Sequence, residues 1–232
     1  MKLLVRKIGL LLLGALLCPT MLLRAEELEY RYEIGAMTGG SFYLGDANYT
    51  GMFKNLNLMG GALWRYNLNP RMAIKANLAL ARISGDTAGD NKFPGGDTSF
   101  SRTLYDLGAQ FEYNFFAYGE GTGYKRTHRL APYIFGGLGF TFAPEPKDNV
   151  FTANIPLGVG VKYKFAPRVN VGCELSFRFS LSDKLDVTDA NLPQLDDPYG
   201  IKSDGLKNKD SYAFLAIFLT YDLSPKYRRC NN

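Results

Sequence analysis

The stretch VNVGCELSFRFSL, at residues 169–181, alternates strictly between two kinds of side chain. Apolar residues occupy the odd positions from Val169 to Leu181, and the even positions carry Asn, Gly, Glu, Ser, Arg and Ser. Successive side chains of a β-strand point to opposite faces, so this pattern predicts a strand with one apolar and one polar face. The stretch exceeds the roughly 9 to 11 residues with which a tilted strand crosses a bilayer.

Seven further segments show the same alternation. It is clear at residues 72–80, 105–115 and 154–165, and weaker at 30–43, 58–68, 130–142 and 212–223. Eight long strands without a helix of useful length predict an all-β fold, an eight-stranded antiparallel up-and-down transmembrane β-barrel.

The connections support this fold, since outer-membrane barrels have short periplasmic turns and long outer loops. The predicted inner turns are 69–71, 117–129 and 166–168, of which the second is long. The predicted outer loops are 44–57, 85–99, 143–152 and 182–209. The sequence YNLNPR at 66–71 recurs as YKFAPR at 163–168, with Pro-Arg at a tight turn each time.

Composition and the N-terminus define the organisation of the chain. Hydrophobic residues make up 46% of its 232 residues, which excludes a disordered chain, and a mean hydropathy of −0.14 excludes a polytopic helical membrane protein. Residues 1–25 resemble a secretory signal peptide, with a lipoprotein signal at Cys18 as the alternative. Residues 26–232 form the predicted barrel with a short basic tail.

Removal of the signal peptide changes the charge. Lys2, Arg6, Lys7 and Arg24 leave with it, so 27 basic residues become 23 against 22 acidic ones. The nearly neutral mature chain gives no reason to expect a nucleic-acid partner.

The aromatic residues distinguish a membrane barrel from a soluble one. Seven of them lie on apolar faces near the predicted periplasmic strand ends, as in an aromatic girdle: Trp64, Tyr66, Tyr113, Phe115, Tyr163, Phe165 and Tyr221. The polar faces carry Gly, Asn and Ser with isolated charges, as expected for a packed lumen. We therefore expect the outer membrane and contact with its lipids, with the core of a soluble sandwich as the alternative.

Ten charged residues are predicted to line the lumen: Arg31, Glu33, Arg65, Lys75, Asp106, Glu112, Lys162, Lys164, Glu174 and Arg178. Eight strands enclose a space that side chains can fill, and charges in so narrow a space must be paired. We interpret them as a structural salt-bridge network that plugs the lumen. A narrow ion path or a conformational relay is the alternative.

Catalysis is not expected. The only histidine, His128, falls in a predicted periplasmic turn, on the wrong side for chemistry on outer-leaflet lipid A. No cofactor or metal site is predicted. The acidic outer loop at 182–209 lacks the spacing of an EF-hand and is interpreted as solvated, with a calcium site as the alternative.

The predicted periplasmic face is basic. Its candidate partner surface comprises Lys125, Arg126, Arg129, Lys226, Arg228 and Arg229, joined by Arg71 and Arg168 and opposed only by Glu120 and Asp222. Such a face suits an acidic protein partner or inner-leaflet head groups.

Several motifs, in order, resemble the PorG-like outer-membrane barrels. They are Glu33-Ile34-Gly35, the run from Gly39 to Asp46, Arg65-Tyr66-Asn67 with Asn69-Pro70-Arg71, Phe111 to Phe116, Ala131 to Gly139, and Glu174 to Arg178 leading into Asp183 to Val187. The resemblance implies a structural barrel of the type IX secretion system, associated with a periplasmic ring built from a lipoprotein and its partner. A general OmpA-like barrel for membrane stability or adhesion is the main alternative, followed by a lipid-modifying enzyme and a narrow channel.

Overall fold

The fold is a closed barrel of eight antiparallel strands. The computed structural model describes residues 30–44, 56–86, 99–120, 127–144, 149–181 and 211–225. The strands are β1 (Tyr30–Leu44), β2 (Asn57–Asn69), β3 (Met72–Asp86), β4 (Ser99–Asn114), β5 (Leu130–Ala143), β6 (Val150–Ala166), β7 (Val169–Ser180) and β8 (Ser211–Pro225). Each strand pairs with the next, and β8 closes the barrel by pairing with β1, so the predicted fold class is confirmed. Within the described ranges, no helix is long and apolar enough to cross a membrane.

Three strands are longer than the sequence pattern predicts, always at the end that carries the long loops. β3 continues past Leu80 to Asp86, β4 begins at Ser99 instead of Tyr105, and β6 begins at Val150. Pairing continues there, for example between Arg82 and Thr103, because the backbone groups still need partners. Polar outward side chains in this part of β3 and β4 end the apolar alternation while the hydrogen-bonded ladder goes on.

The barrel is apolar outside and charged inside, the inverse of a soluble protein. Leu107 is 54% exposed and Leu138 is 70% exposed, both on the outer wall, whereas Arg65 and Glu112 on the inner wall are fully buried. Large apolar side chains in this arrangement belong in hydrocarbon, and the closed ladder leaves no strand edge to satisfy there. The chain is therefore an outer-membrane β-barrel.

The predicted girdle faces outward near the short-turn end, which is the periplasmic end of such barrels. Trp64, Phe115, Tyr163, Phe165 and Tyr221 are all exposed on the outer wall. Trp64 forms a cluster of three rings with Tyr32 and Tyr66, with its ring centroid 6.2 Å from that of Tyr32 and 6.4 Å from that of Tyr66.

The interior changes character along the barrel axis. Charged side chains dominate the periplasmic half. The half nearer the long loops carries many buried apolar side chains that also point inward: Met37, Met59, Leu63, Ile83, Leu104 and Phe214. The sequence did not indicate these inward apolar residues, which share this half with paired polar side chains such as Asp106 and Arg178.

The position of Trp64 gives a direct test of the membrane orientation, since it is the only tryptophan of the chain. In vesicles containing brominated phospholipid we expect blue-shifted emission that the bromines quench, because the indole faces lipid at the interface. Trp64→Phe removes the signal and serves as the blank. Quenching by aqueous acrylamide with no effect of brominated lipid would contradict the orientation.

Candidate functional site

Three clusters of buried polar side chains fill the inside of the barrel. The central cluster, which we define as Glu33, Arg65, Lys75, Glu112, Lys162 and Glu174, contains three acids and three bases on six different strands, β1 to β4, β6 and β7. The formal charges within it cancel. Balance of this kind is required, because an unpaired charge so far from water is strongly destabilising.

Arg65 and Glu112 hold the central cluster together. Arg65 Nη1 lies 2.5 Å from Glu33 Oε2, and Arg65 Nε lies 2.9 Å from Glu112 Oε2. Lys162 Nζ is 3.2 Å from Glu112 Oε2. Lys75 Nζ is 2.6 Å from Glu174 Oε2 and 3.6 Å from Glu112 Oε1. Glu112 therefore faces three cations at once.

Each cation of the central cluster also lies against an aromatic ring. Lys75 Nζ is 4.5 Å from the Phe135 ring centroid, Lys162 Nζ is 5.0 Å from that of Tyr133, and Arg65 Cζ is 5.3 Å from that of Phe218. A cation over a ring face is stabilised further when it is removed from water. The rings thus replace part of the hydration that these cations lose.

Glycines on neighbouring strands make room for those rings. Phe135 lies over Gly158, Tyr133 over Gly160 and Phe218 over Gly172, in each case so closely that an added Cβ would collide with the ring. Packing of an aromatic ring over a glycine of an adjacent strand also shields backbone that the glycine leaves bare. The central cluster therefore depends on three glycines as well as on its charges.

The outer cluster surrounds Asp106 in the half nearer the long loops. Arg178 Nε lies 3.0 Å from Asp106 Oδ1, and the Tyr212 hydroxyl donates to Asp106 Oδ2 at 2.7 Å. Asn154 Nδ2 donates to the same oxygen at 3.0 Å. The Arg178 guanidinium carbon is 3.9 Å from the Phe214 ring centroid, so this cluster repeats the pairing of a cation with both a carboxylate and a ring.

The inner cluster lies at the periplasmic mouth. Lys164 Nζ is 2.6 Å from Asp222 Oδ2, and Asn170 Nδ2 donates to Asp222 Oδ1 at 2.6 Å. The Tyr118 hydroxyl donates to Asn170 Oδ1 at 2.7 Å. Burial raises the pKa of this hydroxyl, which therefore remains a donor.

Tyr118 does not belong to a strand. It comes from the connection between β4 and β5, and its backbone N–H donates to Pro70 O at 2.9 Å. Its ring centroid lies 5.1 Å from Lys162 Nζ and 5.6 Å from Lys164 Nζ. The connection thus places the Tyr118 side chain across the periplasmic mouth of the lumen. A cavity of about 40 Å³ remains beside it, with room for a few waters.

The structure places nine of the ten predicted lumen residues inside the barrel. The exception is Arg31, which is exposed. It lies two residues before Glu33 and therefore on the inward face of β1. At the periplasmic end of β1, however, the wall no longer encloses it, so its assignment to the lumen is wrong.

Two buried charges were missed. Asp222, expected on the periplasmic face, points inward to Lys164, and Arg102 lies buried with its Nη2 donating to Ala143 O at 3.1 Å. Arg102 lies four residues before Asp106, and Asp222 lies two residues after Thr220. Each therefore shares the inward face of its strand with a predicted or buried residue. That shared face is the signal that could have found them.

Of the predicted partner surface, Arg129 lies within the described residues. It is exposed, and its Nε donates to the backbone oxygen of Glu120 at 3.0 Å. Lys125, Arg126, Lys226, Arg228 and Arg229 lie outside the described residues, as do the signal peptide and the acidic outer loop. His128 is exposed beside Arg129, with its ring centroid 5.3 Å from that of Phe116. Among the described side chains, no group of His, Cys, Asp and Glu is arranged to hold a metal ion.

Comparisons with known proteins give one family and several similar solved structures. The model of the family described as "Domain of unknown function (DUF6089)" matches residues 12–232. No curated protein matches the chain.

Three of the similar structures illustrate the likeness. The N-terminal β-barrel domain of OprF from Pseudomonas aeruginosa is 14% identical, with 84% of this chain and 98% of that chain covered and a TM-score of 0.47. Neisserial surface protein A is 15% identical, with 83% and 97% covered and a TM-score of 0.48. The attachment invasion locus protein Ail of Yersinia pestis is 11% identical, with 84% and 100% covered and a TM-score of 0.47.

The balance of the central cluster predicts the effect of removing Glu112. Glu112→Gln leaves three buried cations facing two carboxylates, and we expect a loss of about 3–5 kcal/mol in the free energy of unfolding. The measurement is the urea dependence of the heat-modifiable folded band in detergent.

Two further variants control for packing. Glu120→Gln, on the periplasmic connection, should change stability by less than about 0.5 kcal/mol. The double variant Glu112→Gln/Lys162→Met should be more stable than Glu112→Gln, because the charges balance again. Equal stability of Glu112→Gln and the wild type would show that the cluster tolerates a net charge.

Proposed function

The chain belongs to the DUF6089 family, and we propose that it acts as a non-catalytic outer-membrane anchor for a periplasmic protein assembly. More specifically, we propose the ring of the type IX protein secretion system, formed by a lipoprotein and its partner. The sequence motifs that resemble PorG-like barrels support this choice. The observation that carries the anchoring role is the filled lumen, in which the described charges find partners inside the barrel.

A filled lumen leaves the two ends of the barrel as its surfaces for recognition. At the periplasmic end, Asp222 is withdrawn into the barrel by Lys164 and does not offset the basic residues around it. Arg129 is exposed, and its guanidinium contacts a backbone oxygen instead of a carboxylate. The rim is thus more basic than the sequence alone indicates, which favours an acidic partner surface.

The experiment is affinity purification of the tagged protein from detergent-solubilised outer membranes, followed by mass spectrometry. We expect periplasmic ring proteins and a lipoprotein with the wild type. With Lys125→Glu/Arg126→Glu/Arg129→Glu we expect recovery to fall at least about tenfold, or ~1.4 kcal/mol, because the reversed charges repel an acidic partner.

Arg82→Glu is the matched control, since Arg82 is exposed on the outer wall near the opposite end of the barrel. Heat-modifiability shows that every variant is inserted and folded. Unchanged recovery with the triple variant would show that the β4–β5 connection does not bind the partner. Recovery of the barrel alone from the wild type would favour a general OmpA-like role, and altered lipid A mass in a deletion strain would favour an enzyme.

The filled lumen also predicts the absence of ion conduction. In planar bilayers we expect the purified protein to give no unitary conductance steps, because apolar packing and paired charges occupy the lumen. Tyr118→Ala removes the side chain at the periplasmic mouth but leaves the half nearer the long loops filled, so this variant should give no conductance steps either. Reproducible steps from the wild type would support a narrow channel.

A further inference from the structure

The two tight periplasmic turns repeat one local structure. Pro70-Arg71 joins β2 to β3, and Pro167-Arg168 joins β6 to β7. The register shifts between Asn67 and Asn69 before the first turn, and between Lys164 and Ala166 before the second. One residue therefore bulges from the ladder each time.

The bulged residues are apolar and lie outside the barrel. They are Leu68, which is 41% exposed, and Phe165, which is 71% exposed. A bulge adds one residue and redirects the neighbouring side chains. At both turns it places an apolar side chain toward lipid three residues before an arginine.

Each arginine contacts one residue of the girdle, Arg168 through a side chain and Arg71 through a backbone oxygen. Arg168 Nη1 donates to the Tyr221 hydroxyl at 3.3 Å, and its guanidinium carbon is 5.9 Å from the Tyr30 ring centroid. Arg71 Nη1 donates to Phe115 O at 3.2 Å. Arg168 thus contacts an exposed girdle side chain directly, whereas Arg71 contacts the backbone beside one, and both guanidiniums lie at the girdle end of the barrel.

Neither arginine has an acidic partner among the described residues. Both are exposed, and Asp222, whose backbone N–H donates to Arg168 O, has its carboxylate bound to Lys164 inside the barrel. Arg71 is held through its Nη1, and Arg168 through hydrogen bonds to Tyr221 and Tyr30, so each guanidinium keeps further N–H groups for a ligand. A guanidinium that is positioned but unpaired suits a phosphate, which it can bind through two parallel hydrogen bonds.

We propose that Arg71 and Arg168 each bind the phosphate of a phospholipid head group in the periplasmic leaflet. The apolar side chain before each turn lies in the hydrocarbon of the same lipid layer. This assignment separates Arg71 and Arg168 from the other basic residues of the periplasmic face, which form the candidate partner surface, and does not depend on the proposed secretion role.

The test is native mass spectrometry of the protein released from nanodiscs of phosphatidylethanolamine and phosphatidylglycerol, counting retained phospholipids. Arg71→Gln and Arg168→Gln should each retain one phospholipid fewer than the wild type, and the double variant two fewer. Arg→Lys at either turn should retain lipid less firmly, since lysine keeps the charge but not the paired hydrogen bonds. Arg82→Gln, the exposed arginine near the other end, should retain as many as the wild type.

Equal retention by the double variant and the wild type would overturn the proposal, as would an equal loss with Arg82→Gln. Heat-modifiability again confirms folding, which these exposed positions should not affect. Affinity capture of periplasmic proteins by the double variant separates the two proposals. Normal capture with reduced lipid retention supports the phosphate sites, whereas lost capture with normal lipid retention would assign these arginines to a protein contact instead.

Discussion

A charged side chain inside a narrow barrel has lost its hydration, and the interior of this protein provides contacts that compensate for that loss. Arg65, Lys75 and Lys162 each receive a carboxylate within hydrogen-bonding distance and an aromatic ring on another side. The rings fit only because glycines of the adjacent strands carry no side chain beneath them. Each ring and its glycine come from adjacent strands, so the cluster also specifies which strands must be neighbours and in which register.

The two halves of the interior meet different requirements. In the periplasmic half, paired charges fill the space and remain close to the rim where the chain emerges. In the other half, inward residues such as Met59 and Leu104 belong to one apolar cluster, and they share the space with the outer cluster around Asp106. The lumen is thus filled in both halves, the outer wall of the barrel faces lipid, and its two ends face the two aqueous sides.

Much of this fold could be predicted from the sequence, because strand parity is visible wherever one face is apolar. Parity placed residues such as Glu112 and Arg178 inside the barrel without any knowledge of pairing. It failed for Arg31, since alternation cannot show where the wall stops enclosing the lumen. It gave no information on Tyr118, which reaches the lumen from a connection without periodicity. Inward residues such as Leu63 were also missed, because alternation was read as apolar outside and polar inside along the whole barrel.

The repeated turns have a mechanical consequence. The β2–β3 turn and the β6–β7 turn are separated by four of the eight strands in either direction around the ring, so they lie across a diameter of the barrel. A single point held at the membrane surface would fix the depth of the barrel but let it rock about that point. Two opposite points also resist tilting in the plane that contains both of them, whereas tilting about the line that joins them stays possible. Any protein that docks on the periplasmic end would then meet a barrel whose tilt is restricted to one direction.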